Sequence, residues 1–205
     1  MCGLTGFLET THYLTSSQKK PVTHNMLTAL THRGPDDQGF WVDPSAGIAL
    51  GHRRLSIIDL SPQGHQPMHS ACGRYVMVYN GEIYNYLEIR KELQDSGVTA
   101  GWRGDSDTEV ILAAISHWGL EKAISRFTGM FAFALWDKKH QTLKLIRDRL
   151  GEKPLYYGWM NQTFLFGSEL KSLRKHPSWQ GEIDRNVLAL FFRHSYYPLT
   201  ICLFP

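Results

Sequence analysis

MCGLTGFLE, residues 1–9, is the stretch on which the rest of the chain depends. Gly3 to Glu9 is a short, mostly apolar run with the composition of a buried strand, so the first element starts directly behind Cys2. Composition leaves three readings of that cysteine open: a core side chain, a site of modification, or a nucleophile uncovered when Met1 is removed. The small side chain at position 2 favours the removal. A freed α-amino group has a pKa of about 7.7–8.0, close enough to neutrality to exchange a proton with its own thiol. Nucleophile and base would then belong to one residue. Alone the signal does not choose, because a free cysteine commonly packs as a small apolar side chain.

Val22 to His32 carries Met26, Leu27 and Leu30 at helical spacing, and Arg33 to Gly39 (RGPDDQG) has the composition of a turn. Ile48–Asp59 and Arg74–Tyr84, rich in β-branched and aromatic residues, read as strands separated by Ser61–Gly73. Tyr86–Ser96 reads as a helix ended by Gly97. A second helix opens at Ser106-Asp107-Thr108-Glu109, where Ser106 and Glu109 have capping-box spacing ahead of Val110, Ile111, Ala114, Ile115 and Trp118. Strands are expected at Met130–Trp136, Thr142–Arg147, Pro154–Trp159 and Thr163–Phe166, with turns at 137–141 and 160–162, a spacing that predicts a β-meander. Short helices are expected over Leu170–Lys175 and over Asp184–His194, the latter capped by Asp184. Helices between and after antiparallel strands predict an α+β fold of two sheets flanked by helical layers, and the length predicts one large domain.

Bulk properties exclude several functions. The net charge of +3 arises from 22 basic and 19 acidic residues mixed along the chain, without a run that would track a phosphate backbone, so no nucleic-acid partner is expected. No stretch is apolar for the 18 or so residues that span a bilayer, and no signal-peptide pattern opens the chain, so a cytoplasmic protein without membrane attachment is expected. Cys2, Cys72 and Cys202 fit neither a disulfide framework nor paired zinc ligands. His52, His65 and His69 lack carboxylates at helical spacing, so no metal site is expected; nor is there a phosphate loop or a dinucleotide-binding glycine turn.

Other residues bear on Cys2. Asn80-Gly81 interrupts a strand with two poor strand formers, which is either a bulge or a pair of oxyanion donors, the Asn80 amide and the Gly81 N–H, with glycine allowing close approach. Arg53 and Arg54 are adjacent in a strand and must face opposite sides, so one can enter a pocket while the other faces solvent. Asp107 at a helix start is adequately explained by the helix dipole. A cation and an anion beside a thiol nevertheless suit an amino-acid substrate, its carboxylate on Arg and its ammonium on Asp, and begin to specify glutamine.

At this point the chain resembles the glutaminase domain of class II glutamine amidotransferases of the glutamine-hydrolysing asparagine synthetase type. The resemblance rests on MCGLTGFL, HRGPDDQG, GHRRLSIIDLS, GHQPM, VYNGEIYNY, SDTEVI, GMFAFALWD, RDRLGEKPLYYG and GSELKSL, in that order. It implies a mature protein starting at Cys2, a four-layer αββα sandwich of two antiparallel sheets of the N-terminal-nucleophile hydrolase kind, and hydrolysis of glutamine to glutamate and ammonia through a γ-glutamyl thioester. By the family pattern Cys2 attacks the side-chain amide, Asn80 and Gly81 stabilise the oxyanion, and Arg54 holds the α-carboxylate. Leu55, Ser56, Ile57 and Ile58 shape the adjoining wall, and Glu82 and Asp107 hold the ammonium. HRGPDDQG resembles a loop near the glutamine pocket and RDRLGEKPLYYG a stretch lying toward a partner domain; neither is assigned a catalytic role.

The family's ATP-pyrophosphatase domain, with its Ser-Gly-Gly-x-Asp-Ser loop, has no counterpart here. Residues 1–205 are therefore expected to be a glutaminase domain ending near the start of that absent domain, needing no cofactor of its own, with ATP and Mg²⁺ belonging to a synthetase domain or chain that receives the ammonia. L-glutamine is the expected small-molecule partner, and a homo-oligomer is compatible with the sequence. Two alternatives stand beside this reading: a non-catalytic glutamine-binding or interaction module, and a glutaminase feeding an acceptor other than aspartate, such as a sugar acid in polysaccharide modification.

Overall fold

The structure is a computed structural model that describes residues 1–11, 13–98, 101–181 and 185–194. Its elements in chain order are β1 (Gly3–Glu9), α1 (Ser16–Thr28), β2 (Asp37–Asp43), β3 (Ile48–Arg54), β4 (Met68–His69), β5 (Tyr75–Ile83), α2 (Tyr86–Asp95) and α3 (Asp107–Trp118). They continue as α4 (Leu120–Arg126), β6 (Gly129–Asp137), β7 (Thr142–Arg147), β8 (Tyr156–Met160), β9 (Thr163–Gly167), α5 (Leu170–Leu173) and α6 (Arg185–His194). One sheet runs β2-β3-β1-β9-β8 and the other β4-β5-β6-β7, antiparallel throughout.

The two-residue period of the strands sorts side chains into layers. Leu4 of β1, Leu50 of β3, Val76 and Val78 of β5, and Ala132, Ala134 and Trp136 of β6 pack between the sheets. The alternate residues turn outward. Phe7 and Ala49 pack with Met26 of α1 and Leu173 of α5, whereas Met77, Tyr79, Phe131 and Phe133 pack with Ile89 of α2, Ile111 and Ile115 of α3 and Ala123 of α4. Three apolar layers separate four layers of structure, which is the αββα sandwich expected.

Several elements differ from the sequence reading. The first helix begins at Ser16 rather than Val22, because the Gln18 side chain accepts the Thr15 N–H at 3.0 Å and anchors a turn that places Pro21 inside the helix. It ends at Thr28, and residues up to Arg33 continue as tight turns. Lys19 faces inward and pairs with buried Glu9. β3 stops at Arg54 instead of Asp59, and the expected turn at 33–39 passes into β2 at Asp37. The four later strands are no meander: β6 and β7 belong to one sheet, β8 and β9 to the other. Alternation marks a strand but not its sheet. Asp184, the expected cap of α6, lies outside the described residues, as do Cys202 and the rest of 195–205.

Candidate active site

Three inward-facing rows change character at the same end of the sandwich. On β1 the row of Leu8, Gly6 and Leu4 runs back to Cys2; on β3, Ile48 and Leu50 lead to His52 and Arg54; on β5, Val76 and Val78 lead to Asn80 and Glu82. The β1–β3 register pairs Gly3 with Arg53, so continuing it sets Cys2 opposite Arg54. A cleft of about 170 Å³ opens there, bordered by Cys2, Arg54, Leu55, Ile57, Ile58, Asn80, Gly81, Glu82 and Asp107. Ser56 does not line it; its N–H is held by the Asp36 carboxylate at 2.8 Å.

The Cys2 thiol lies 3.4 Å from the Leu55 N–H nitrogen and 3.6 Å from the Leu55 carbonyl oxygen. Burial pushes its pKa up, although the Leu55 N–H, the terminal ammonium and Arg54 act in the opposite direction. Its carbonyl accepts from Arg33 Nε at 2.9 Å, and Arg33 is held in turn by Glu169 at 2.9 Å. Met1 covers the cleft beside it, with its thioether 3.6 Å from Lys153 Nζ.

Asn80 and Gly81 do not form a bulge. The β5–β6 register is unbroken from Tyr75 opposite Asp137 to Ile83 opposite Gly129. Gly81 faces Phe131, whose N–H and C=O are both engaged by Asp148, at 3.2 and 2.8 Å. Gly81 and Phe131 are therefore a non-hydrogen-bonded pair, and the Gly81 N–H points away from β6. On that side β4 has already ended, its last residue on this side, Met68, pairing with Met77. The Tyr79 N–H is taken by Gln66 Oε1 at 2.7 Å and the Ile83 N–H by Asp107 Oδ2 at 3.0 Å. The Gly81 N–H lies between these two satisfied donors and borders the cleft. Asn80 Nδ2 is buried and has no hydrogen-bond partner among the described residues. Glycine is needed at 81 for a reason the sequence did not show: a Cβ would collide with Met130 O and Phe131 Cα across the ladder.

The two arginines divide as their alternation requires. Arg54 turns into the cleft, where Nη1 donates to the Ser61 carbonyl at 2.8 Å and Nη2 to the Asp59 carbonyl, tying down the loop after β3. Arg53 turns to the opposite face and donates to the Leu27 carbonyl of α1 at 3.2 Å, a structural contact from a partly buried side chain. Asp107 begins α3 behind Ser106, whose hydroxyl accepts the Glu109 N–H at 3.4 Å. The Glu109 carboxylate takes the N–H groups of Arg103 and Gly104 instead of closing the capping box. Asp107 Oδ2 also accepts the Tyr79 hydroxyl at 2.6 Å. Burial raises the Asp107 pKa, and the bonds from Tyr79, Ile83 and Thr108 offset part of that rise.

Asp59, Gln66, Tyr79 and Lys153 also border the cleft and were not singled out by the sequence. Lys153 is buried, on a loop whose N–H groups at Leu150, Glu152 and Lys153 converge on the Asp148 carboxylate. An Asp followed three residues later by Gly, ahead of a lysine, was the available signal. His52 donates through Nε2 to the Tyr79 carbonyl at 2.8 Å, and burial lowers its pKa to about 4. His65 pairs with Asp37 and His69 packs edge-on against Trp41. No group of three or more potential metal ligands occurs among the described residues, and no described helix is long and apolar enough to cross a membrane.

The model of the glutamine amidotransferase domain family matches residues 1–205. Asparagine synthetase [glutamine-hydrolyzing] 3 of Bacillus subtilis (strain 168) is 39% identical over 196 residues, covering 94% of this chain and 30% of that protein. Asparagine synthetase [glutamine-hydrolyzing] 1 of the same organism is 39% identical over 198 residues, covering 97% and 30%. Amidase chry2 of Gibberella zeae (strain PH-1) is 39% identical over 189 residues, covering 87% and 28%. The chain thus spans about 30% of the length of these relatives. Among solved structures, glutamine phosphoribosylpyrophosphate amidotransferase from B. subtilis, complexed with ADP and GMP, superposes with a TM-score of 0.69 at 20% identity, over 84% of this chain and 43% of that one, a likeness of fold. By its sequence along the whole of its length, the chain belongs to the glutamine amidotransferase domain family.

Proposed function

We propose that this domain hydrolyses L-glutamine to glutamate and ammonia through a thioester on Cys2. The observation that carries the reading is convergence: the Cys2 thiol, the partnerless Asn80 amide and the outward Gly81 N–H border one cleft. Because burial raises the thiol pKa, Cys2 is protonated at neutral pH and needs a base. No histidine borders the cleft among the described residues, and removal of Met1 supplies the base as the Cys2 α-amine.

In the proposed sequence the α-amine takes the thiol proton as sulfur attacks the glutamine amide carbon. The negative oxygen then formed is held by Asn80 Nδ2 and the Gly81 N–H, donors already in place before the charge develops. The α-ammonium passes its proton to the departing nitrogen and ammonia leaves. Water, deprotonated by the same amine, attacks the thioester carbonyl; a second oxyanion collapses, the C–S bond breaks, and glutamate and the thiol are regenerated. Arg54, with donors beyond the two that hold the loop, receives the α-carboxylate, and Glu82 and Asp107 receive the α-ammonium. An ammonium beside Asp107 also offsets the cost of burying its carboxylate.

The names of the relatives support asparagine synthesis as the use of the ammonia, in a larger enzyme of which this chain corresponds to about 30%. ATP and Mg²⁺ are assigned to the remaining part, and a cytoplasmic location fits a supply of free glutamine. The test is glutamate release by protein whose intact mass lacks Met1. Turnover that disappears in Cys2→Ala supports the reading, and glutamine binding without turnover overturns it in favour of a binding module.

A further inference from the structure

We infer that Gln66 is a positioning residue for the oxyanion donors: its side chain replaces the strand that is missing beside Tyr79 and thereby sets where Asn80 and Gly81 point. This rests on the proposed function of the cleft. The β4–β5 register pairs His69 with Val76 and Met68 with Met77, and continuing it would place Gln66 opposite Tyr79. Pro67 intervenes, β4 ends, and the Gln66 side chain supplies the acceptor in place of backbone, with Oε1 2.7 Å from the Tyr79 nitrogen. Its amide nitrogen reaches Thr108 Oγ1 at 3.4 Å, linking the β5 edge to the start of α3, where Asp107 sits.

Gln66 is 5% exposed, and its backbone carbonyl lies against Gly39 of β2, where a Cβ would collide with it, so the side chain projects from a fixed base. The Tyr79 carbonyl, on the same edge, is fixed from the other sheet by His52 Nε2 at 2.8 Å. Both polar backbone groups of the residue preceding Asn80 are therefore held from outside the ladder. Loss of the Gln66 acceptor leaves a buried N–H unsatisfied and frees the edge one residue from Asn80 and two from Gly81. The proposed ground-state contacts, Arg54, Glu82 and Asp107, make no hydrogen bond with Gln66, and Asp107 is held independently by the Ile83 N–H at 3.0 Å. The consequence should fall on kcat rather than KM.

The experiment uses Met1-processed wild-type protein with Gln66→Met, Gln66→Asn and Gln66→Glu. Methionine removes the acceptor at similar volume, asparagine is one methylene too short to reach, and glutamate keeps an oxygen at the same reach. Displaced donors predict a kcat loss of at least about tenfold in Gln66→Met and Gln66→Asn, with KM within about twofold of wild type and most of kcat restored in Gln66→Glu. Unchanged kcat in the first two variants, a loss expressed in KM, or a Gln66→Glu variant as slow as Gln66→Met overturns the inference. Exchange of the Tyr79 amide hydrogen supplies a readout independent of turnover. It should accelerate in Gln66→Met and Gln66→Asn and stay slow in Gln66→Glu; equal rates in all overturn the inference. A wild-type protein that releases no glutamate defeats the proposed function instead, and the exchange rates still decide the role of Gln66.

Discussion

Cys2 and Cys72, the two cysteines among the described residues, occupy opposite environments. Cys72 is exposed and borders a separate cavity of about 610 Å³; burial raises its pKa somewhat, but hydrogen bonds with Ser70, the Arg74 N–H and Ser116 bring it below the ordinary value. Cys2 is half-buried, and burial leaves its thiol above that value. Acidity alone would select Cys72 as the reactive thiol. What distinguishes Cys2 is the buried Asn80 amide, without a partner among the described residues, and the outward Gly81 N–H, both bordering the same cleft. In the proposed reaction a thiol is made catalytic by what surrounds the reacting carbonyl, together with a base that removal of Met1 would uncover.

The largest expected effect separates the two sites outright. Cys2→Ala should lower glutamate release by at least about 10³-fold, while Cys72→Ala should retain the wild-type rate, both measured in a coupled glutamate assay. The reverse pattern would break the comparison. Next, Asn80→Ala should lower kcat by about 10²–10³-fold with little change in KM, the scale of losing one oxyanion donor. Because Asn80 Nδ2 bonds to no described residue, calorimetry should find the melting temperature nearly unchanged; a variant that is destabilised but keeps its kcat would make Asn80 a structural residue.

Arg54→Lys should raise KM, lowering kcat/KM by about 10- to 100-fold, since one ammonium cannot both hold the loop carbonyls and receive a carboxylate in bidentate fashion. Protease sensitivity within residues 55–64 should increase in the same variant. The smallest effect concerns pH. Thiolate is the form that alkylates, so as pH rises iodoacetamide should label Cys72 before Cys2 in protein that retains Met1, because one pKa lies below the ordinary 9.0 and the other above it. Labelling in the opposite order would reverse the electrostatic account of the two sites.

Much of this arrangement was legible in the chain. Apolar, β-branched and aromatic composition placed β1 and β5, alternation put Arg53 and Arg54 on opposite faces, and the resemblance supplied the αββα order. What alternation does not carry is which sheet a strand joins, and so β6 to β9 read as one meander when β7 and β8 lie in different sheets. The bulge reading at Asn80-Gly81 failed because composition records that glycine is a poor strand former but not that a neighbouring strand has no room for a Cβ. Gln66 and Lys153 reach the cleft from loops, where no period announces a direction. Ser56, assigned with its neighbours to the pocket wall, does not line the cleft, and its N–H is held by the Asp36 carboxylate.

The central claim, that Cys2 becomes a terminal nucleophile within a glutamine-shaped cleft, is tested most directly by mass spectrometry of the purified protein after reaction with a chloroketone analogue of glutamine. The account predicts an intact mass lacking Met1 and carrying one adduct, located on Cys2 by peptide mapping and prevented by excess glutamine. Active protein that retains Met1, or an adduct on Cys72 with Cys2 left free, would contradict it.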